Sequence, residues 1–294
     1  TFDVSWNIFI FHWLNNSYIM KNIYSNIYSF NKKTVKKTVN SLKEGNLAGL
    51  PTETVYGLAG NAYSKKAIKK IFVLKKRPKK NPLIIHYANY TRASNDVLLN
   101  DNFFRLYKKF CPGPITFILD LKKNSKISKL VTNKKKTLAV RFPKHPITRN
   151  LLKLLKFPLA APSANLSKRV SAVCSSDVKE DFGKKIKFIL EGGRSSIGLE
   201  STIIDLRNKP KILRLGGLDV STIKRALNKE IRINNKPLKI SAPGQFKLHY
   251  SPGIPIRLNA KKIKNYEACI TIKKTNLVKS NFYFLSKKGD LKEA

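Results

Sequence analysis

The stretch LAGLPTETVYGL at 47–58, followed by KKAIKKIFVLKK at 65–76 and PLIIH at 82–86, decides the reading of the fold. Leu47–Leu50 is a short apolar strand candidate that runs straight into polar Thr52, Glu53 and Thr54 before Gly57. Ala67, Ile68, Ile71 and Phe72 then recur at helical spacing, with Pro78 as the stop. Leu83-Ile84-Ile85 reads as a buried strand ending at His86. Strand, helix and strand in sequence point to an α/β domain.

The alternation continues on both sides. Val35, Val39 and Leu42 place a helix at 34–43, stopped by Gly45, and further helices are predicted at 101–110, 146–155, 175–182 and 219–228. Strands are predicted at 115–121, 137–142, 159–161, 187–190 and 202–206. The fold class is α/β, a twisted mixed sheet flanked by helices. Four prolines between Ile233 and Pro255 mark a linker. Strands at 267–272 and 281–285 then suggest a short C-terminal α/β fragment, too small to support a core alone. The expected organisation is an N-terminal extension at 1–30, a main domain at 31–232, a linker at 233–255 and a partial C-terminal domain at 256–294.

The 294 residues are 42% hydrophobic, enough for a sizeable core. Three scattered cysteines, Cys111, Cys174 and Cys269, form neither a disulfide framework nor a paired zinc site, which suits a reducing, cytoplasmic setting. No run of about 18 apolar residues occurs, so no membrane partner is expected. Residues 1–19 are nearly uncharged, lack a signal-peptide pattern and precede Met20, the sole methionine. They are expected to be peripheral, with translation starting at Met20.

Fifty-nine Lys and Arg against 17 Asp and Glu give a formal charge of +42. Lysine is spread along the chain beside abundant Asn and Ile, the joint signature of AT-rich coding DNA. Total charge is therefore weak evidence for a nucleic-acid partner, and clustering is the useful signal.

Polar residues recur at strand ends, where α/β folds bind ligands. Thr52–Thr54 are one such group, and local turn bonding would account for them equally well. Lys75 lies four residues after Ile71, on the apolar side of its helix, while Arg77, Asn81 and His86 follow. Thr137 and Arg141 share a strand face in TLAVRF, leaving Arg141 as either a surface charge or a carboxylate fork. APSAN at 161–165, GLEST at 198–202 and Arg214 before Gly216-Gly217 complete the set. Neither a phosphate-binding glycine loop nor a metal-spaced His/carboxylate pair occurs. The inventory is cationic and hydroxylic, suited to holding anions and stabilising phosphate charge by position.

PTETVYGL, Lys75-x-Arg77, NPLIIH, PGPIT, AVRFP, APSAN and GLESTIID occur in one order over residues 33–217 and closely resemble the Sua5/YrdC family, the L-threonylcarbamoyladenylate synthases. APGQFKLHYSPGIP at 242–255 resembles the linker of the longer Sua5 branch. The resemblance implies a nucleotidyltransferase that forms threonylcarbamoyl-AMP and pyrophosphate from L-threonine, bicarbonate and ATP, toward threonylcarbamoyl modification of adenosine 37 in tRNA. It implies Mg²⁺ with the ATP, a downstream threonylcarbamoyl transferase complex, and a tRNA or RNA contact. By motif position it assigns Lys75, Arg77, Ser163 and Asn165 to catalysis. Threonine would be held by Thr54, His86, Arg141, Ser163 and Ser201. ATP would be held by Arg77, Asn81, Thr137, Asn165, Val173, Arg214 and Tyr250. Lys168 and Ser171-Ala172-Val173 depart from the family's Gly and Ser-Pro-Thr, so at Val173 a contact to ATP would run through the backbone. The alternative reading is a non-catalytic double-stranded RNA or tRNA-binding module of the same fold. A carbamoyl-handling domain of hydrogenase maturation would need zinc-finger segments that the cysteine spacing lacks.

Overall fold

The computed structural model describes residues 26–234 and, in the C-terminal part, 255–258, 260, 262–264, 266–273 and 281–289. The readings of 1–19, Met20, Tyr250 and most of the linker fall outside these residues. The chain divides into two compact units, 1–251 and 252–294.

In the first unit the order is β1 (Ile27–Tyr28), α1 (Lys32–Lys43), β2 (Ala48–Leu50), β3 (Gly57–Asn61), α2 (Lys65–Leu74), β4 (Ile84–His86), α3 (Tyr90–Ala93), α4 (Asp101–Phe110) and β5 (Ile115–Asp120). Then follow α5 (Lys129–Thr132), β6 (Thr137–Arg141), α6 (Pro146–Leu154), β7 (Leu159–Ala160), α7 (Ser175–Phe182), β8 (Phe188–Leu190), β9 (Thr202–Asp205), β10 (Lys211–Arg214), α8 (Val220–Leu227) and β11 (Arg232–Ile233). The eleven strands form one mixed sheet in the order β1-β8-β2-β3-β7-β4-β6-β5-β9-β10-β11. β1 lies within the stretch read as an extension and pairs in parallel with β8 at the sheet edge.

Helix starts follow capping chemistry. Asn31, Ser64 and Asn100 each accept a backbone N–H three residues on, opening α1, α2 and α4. The stop of α2 differs from expectation. Lys75 is its C-cap, and Lys76 at φ 50° turns the chain into the left-handed region before Pro78 is reached. β3 is a strand the sequence hid, because GLAGN carries turn residues. Its Gly60 fits a close approach, since a Cβ there would lie 2.7 Å from the tip of the Leu47 side chain, which would have to shift.

The two faces of the sheet are covered unequally. The main core lies on one face, where Ile85, Phe117, Val140 and Ile204 meet apolar residues of α2, α4, α7 and α8. On the other face α1 and α6 pack Val35, Leu42 and Leu151 over the β8-β2-β3-β7 end. Beyond them the same face carries a small apolar strip of Ile84, Ala139, Ile118, Ile203 and Leu213. Strand alternation then places His86, Arg141, Thr116 and Ser201 at one end of that strip.

The second unit contains β12 (Cys269–Lys273) and β13 (Phe282–Ser286), a parallel pair in register Cys269↔Phe282. Among the described residues no helix is long and apolar enough to cross a membrane.

Candidate functional site

Register brings the polar residues together. β4 and β6 run parallel with His86 opposite Arg141, and antiparallel β5 sets Thr116 opposite Arg141. β5 and β9 run parallel with Ile115 opposite Thr202, so Ser201 enters beside Thr116. Arg214 closes β10 opposite Ile203. The ends of three strands and the starts of two thus converge on a cavity lined by Thr52, Tyr56, Arg77, His86, Arg141, Ser163, Glu200 and Arg214, among others. This is the strand-end position at which open α/β sheets bind ligands.

Arg141 is buried, and its Nη2 donates to Glu53 Oε1 at 2.8 Å and Thr54 Oγ1 at 2.7 Å. Thr52 Oγ1 lies at 3.4 Å from the same nitrogen. Glu53 is fixed from its other oxygen by the Lys144 N–H at 2.8 Å. Burial pushes the Glu53 carboxyl up, but the Arg141 guanidinium and the Lys144 N–H outweigh it and hold the group below the usual range. Arg141 Nε is buried without a partner. A buried guanidinium with an unmet donor on a cavity wall is suited to a carboxylate ligand.

His86 is also buried, and its Nδ1 has no partner. Burial, with the Arg141 charge adding, pushes its pKa down to about 3, so the ring is neutral at ordinary pH. Across the cavity Arg214 pairs with Glu200 and donates through Nε and Nη2 to the Ser201 carbonyl at 3.1 and 3.0 Å. Ser201 Oγ lies 2.7 Å from Thr116 Oγ1, and Ser171 Oγ donates to Glu200 at 3.1 Å. Arg77 donates to the carbonyls of Asn81 and Pro82 at 3.2 and 2.8 Å.

Lys75 is placed behind the wall rather than on it. Lys75 is 1% exposed, and its ammonium donates to the carbonyls of Ser163 and Asn165. Burial, with the Arg77 charge adding, pushes its pKa down to about 7, against the opposing pull of Glu200 and Asp181. Lys75 therefore locks the 163–165 loop against the end of α2. The Asn165 amide serves the same loop, donating to Leu166 O and Arg169 O at 2.8 and 2.9 Å.

Of the residues singled out in the sequence, Arg77, His86, Arg141, Ser163 and Arg214 line the cavity. Thr54 and Ser201 are bonded directly to its arginines. Three others lie apart. Asn81 is buried with Oδ1 unpartnered, outside the lining. Thr137 starts β6 opposite Asp120, four residues and about 13 Å from Arg141 at roughly 3.3 Å per residue. Val173 has its backbone engaged, its N–H with Asp177 at 2.8 Å and its carbonyl with Ser195 N at 2.8 Å, so the backbone contact expected there has no free N–H. The sequence placed Glu53 and Glu200 in polar groups at strand ends without giving either a role, and it did not single out Tyr56 or Thr116 as site residues. Each sits inside a quoted motif, and the alternation Ile115-Thr116-Phe117, with apolar neighbours turned to the core, was the available signal for Thr116. Among the described residues no group of three or more His, Cys, Asp or Glu side chains gathers as a metal site.

The Sua5_yciO_yrdC family model, described as "Telomere recombination", matches residues 40–216, which contain every cavity residue named above. The chain belongs to the Sua5/YrdC family. It is 41% identical over 224 residues to threonylcarbamoyl-AMP synthase of Pyrococcus abyssi, covering 73% of this chain and 64% of that protein. It is 35% identical over 239 residues to threonylcarbamoyl-AMP synthase of Bacillus subtilis, covering 78% of this chain and 68% of that one. The chain thus spans about two thirds of the length of these curated relatives. Among solved structures, Pyrococcus abyssi Sua5 complexed with L-threonine superposes with a TM-score of 0.81 at 32% identity, over 92% of this chain and 85% of that one.

Proposed function

We propose that this Sua5/YrdC protein is an L-threonylcarbamoyladenylate synthase, a nucleotidyltransferase that converts L-threonine, bicarbonate and ATP into threonylcarbamoyl-AMP and pyrophosphate for tRNA modification. The observation that carries the reading is Arg141. Glu53, Thr54 and Thr52 fix its Nη2, and its buried Nε remains for a ligand carboxylate. Neutral His86 and the Ser163 and Ser201 hydroxyls stand around it to receive the hydroxyl and amine of threonine. The solved relative with L-threonine bound supports the same substrate.

The chemistry follows from these positions. Threonine's amine adds to bicarbonate with loss of water, giving a carbamate. The carbamate oxygen then attacks the α-phosphorus of ATP in line, and the bond to pyrophosphate breaks. Negative charge grows on the phosphate oxygens, where Arg77 and Arg214 stand on the cavity wall as its stabilisers. In this reading Lys75 acts through the Ser163–Asn165 loop as a positioning residue. Mg²⁺ would be held by the nucleotide phosphates, since Glu200, the carboxylate of the described cavity lining, is paired with Arg214. A nucleotide that reached Thr137 as well would extend along the Ile84–Ala139–Ile118 strip. The catalytic domain is assigned to 31–232, and a downstream threonylcarbamoyl transferase would consume the product.

Pyrophosphate release from ATP, measured with L-threonine and bicarbonate and without RNA, tests this. Release that requires both co-substrates is expected. Release indifferent to threonine, or none, overturns the assignment.

A further inference from the structure

Thr116 stands where an apolar residue would be expected. It is the second residue of β5, between Ile115 and Phe117, both buried in the main core. Alternation turns its side chain to the other face, opposite Arg141 on β6 and Ile203 on β9, where its neighbour along the strand is apolar Ile118. The side chain is fully buried, and a buried hydroxyl needs a partner. Among the described residues that partner is Ser201 Oγ, at 2.7 Å. Strand preference alone would be met by valine, which has no hydroxyl to satisfy.

Ser201 Oγ is shared between two elements of the cavity. Arg214 Nη2 donates to it at 3.1 Å and to the Ser201 carbonyl at 3.0 Å, while Nη1 pairs with Glu200. Arg214 lines the cavity, whereas Ser201 beneath it is fully buried and outside the lining. A hydroxyl has one proton to give and two lone pairs to receive with. With Thr116 and Arg214 both donating, both lone pairs of Ser201 are taken. A guanidinium turned toward phosphate oxygens would release one of them and uncover the hydroxyl, which Thr116 still holds.

We propose that Thr116 is a positioning residue that links the two substrates, acting through Ser201 so that L-threonine binds more tightly once a nucleotide draws Arg214 to its phosphates. The inference rests on the proposed function, in which Ser201 meets L-threonine and Arg214 meets phosphate. Thr116 supplies a fixed second partner, so Ser201 keeps its orientation when Arg214 leaves it. Without that partner Ser201 rotates, and the amino acid gains little from the nucleotide. The coupling is reciprocal, so L-threonine tightens the nucleotide by the same factor.

Calorimetric titration of L-threonine into the full chain, with and without Mg²⁺ and α,β-methylene-ATP and in the absence of bicarbonate, reads the link as a ratio of affinities. The wild type is expected to bind L-threonine at least about fivefold more tightly with the nucleotide. Thr116→Val and Thr116→Ala are each expected to bring that enhancement below about twofold. Thr116→Ser keeps the hydroxyl and is expected to retain the wild-type enhancement. A purely structural role would weaken L-threonine binding equally with and without nucleotide, leaving the ratio at its wild-type value, and that result would overturn the proposal. Loss of the enhancement in Thr116→Ser, or its absence from the wild type, would overturn it too. Pyrophosphate release by the wild type tests the proposed function separately. Release without the enhancement sinks the link alone, enhancement without release sinks the function alone, and a wild type that neither releases pyrophosphate nor binds L-threonine sinks both.

Discussion

The cavity and a surface groove are both cationic, yet their charges are held in opposite ways. In the cavity Arg141 and Arg214 are 4% and 7% exposed, each paired with a carboxylate, and Lys75 behind the wall is turned onto two carbonyls. In the groove between α2 and the stretch before β8, Lys65, Lys66 and Lys69 stand exposed near an exposed Val73, Lys70 is half-buried and bonded to Asn46, and the described lining offers them no carboxylate. A buried cation must find a partner or change its protonation, whereas a solvated one need do neither. The difference separates charge fixed by partners inside a site from charge left solvated at the surface. It also explains why a net charge of +42 said so little by itself.

The largest effect is expected at Arg141. Arg141→Ala leaves Glu53 buried and uncompensated, and the loss of stability should be about 3–5 kcal/mol in denaturant titration. A loss below about 1 kcal/mol, the range of exposed ion pairs, would erase the contrast between the two regions.

Lys75 sharpens the comparison through pH. The native ammonium releases its proton above about 7, whereas the unfolded chain keeps it up to about 10.5. The unfolded state therefore binds more protons in that window, and stability rises with pH across it at about 1.4 kcal/mol per fully separated unit. Lys75→Met should abolish that rise, read as the difference between wild-type and variant unfolding curves at neutral and alkaline pH. Parallel curves would mean that the group stays charged in the fold.

His86 should act in the acid range. Its native pKa of about 3 lies below the unfolded 6.5, so its neutral, buried form contributes stability that is lost as pH falls from 6.5 toward 3. His86→Gln should flatten that part of the acid-unfolding profile. An unchanged profile would place the ring in contact with solvent. The smallest effect belongs to the groove, where four simultaneous Lys→Gln changes on α2 should alter stability by less than about 1 kcal/mol. If they match the single substitution at Arg141, the groove lysines are structural and the distinction fails.

Much of this architecture was legible because periodicity and strand-end polarity agreed. Helices at Asp101–Phe110 and Ser175–Phe182 match their expected bounds, and the burial of Lys75 followed from its spacing to Ile71. β3 was not legible, since its glycines are set by contacts with Leu47 and with the Ser163 segment rather than by a local turn. The partners of Arg141 were not legible either. Strand spacing put the arginine on a face, but only the fold brings the 52–54 loop across it, which turns Glu53 from a turn residue into an anchor. Lys75 shows the reverse limit, because its motif suggests phosphate contact while its geometry directs the ammonium to Ser163 and Asn165.

The proposed function places an amino-acid carboxylate on Arg141. Calorimetric titration of L-threonine into the wild-type chain and into Arg141→Lys tests it most directly. Saturable one-site binding by the wild type, weakened at least about tenfold in the lysine variant by loss of a charge-assisted bond, is the expected result. Equal affinity in the two proteins would contradict it.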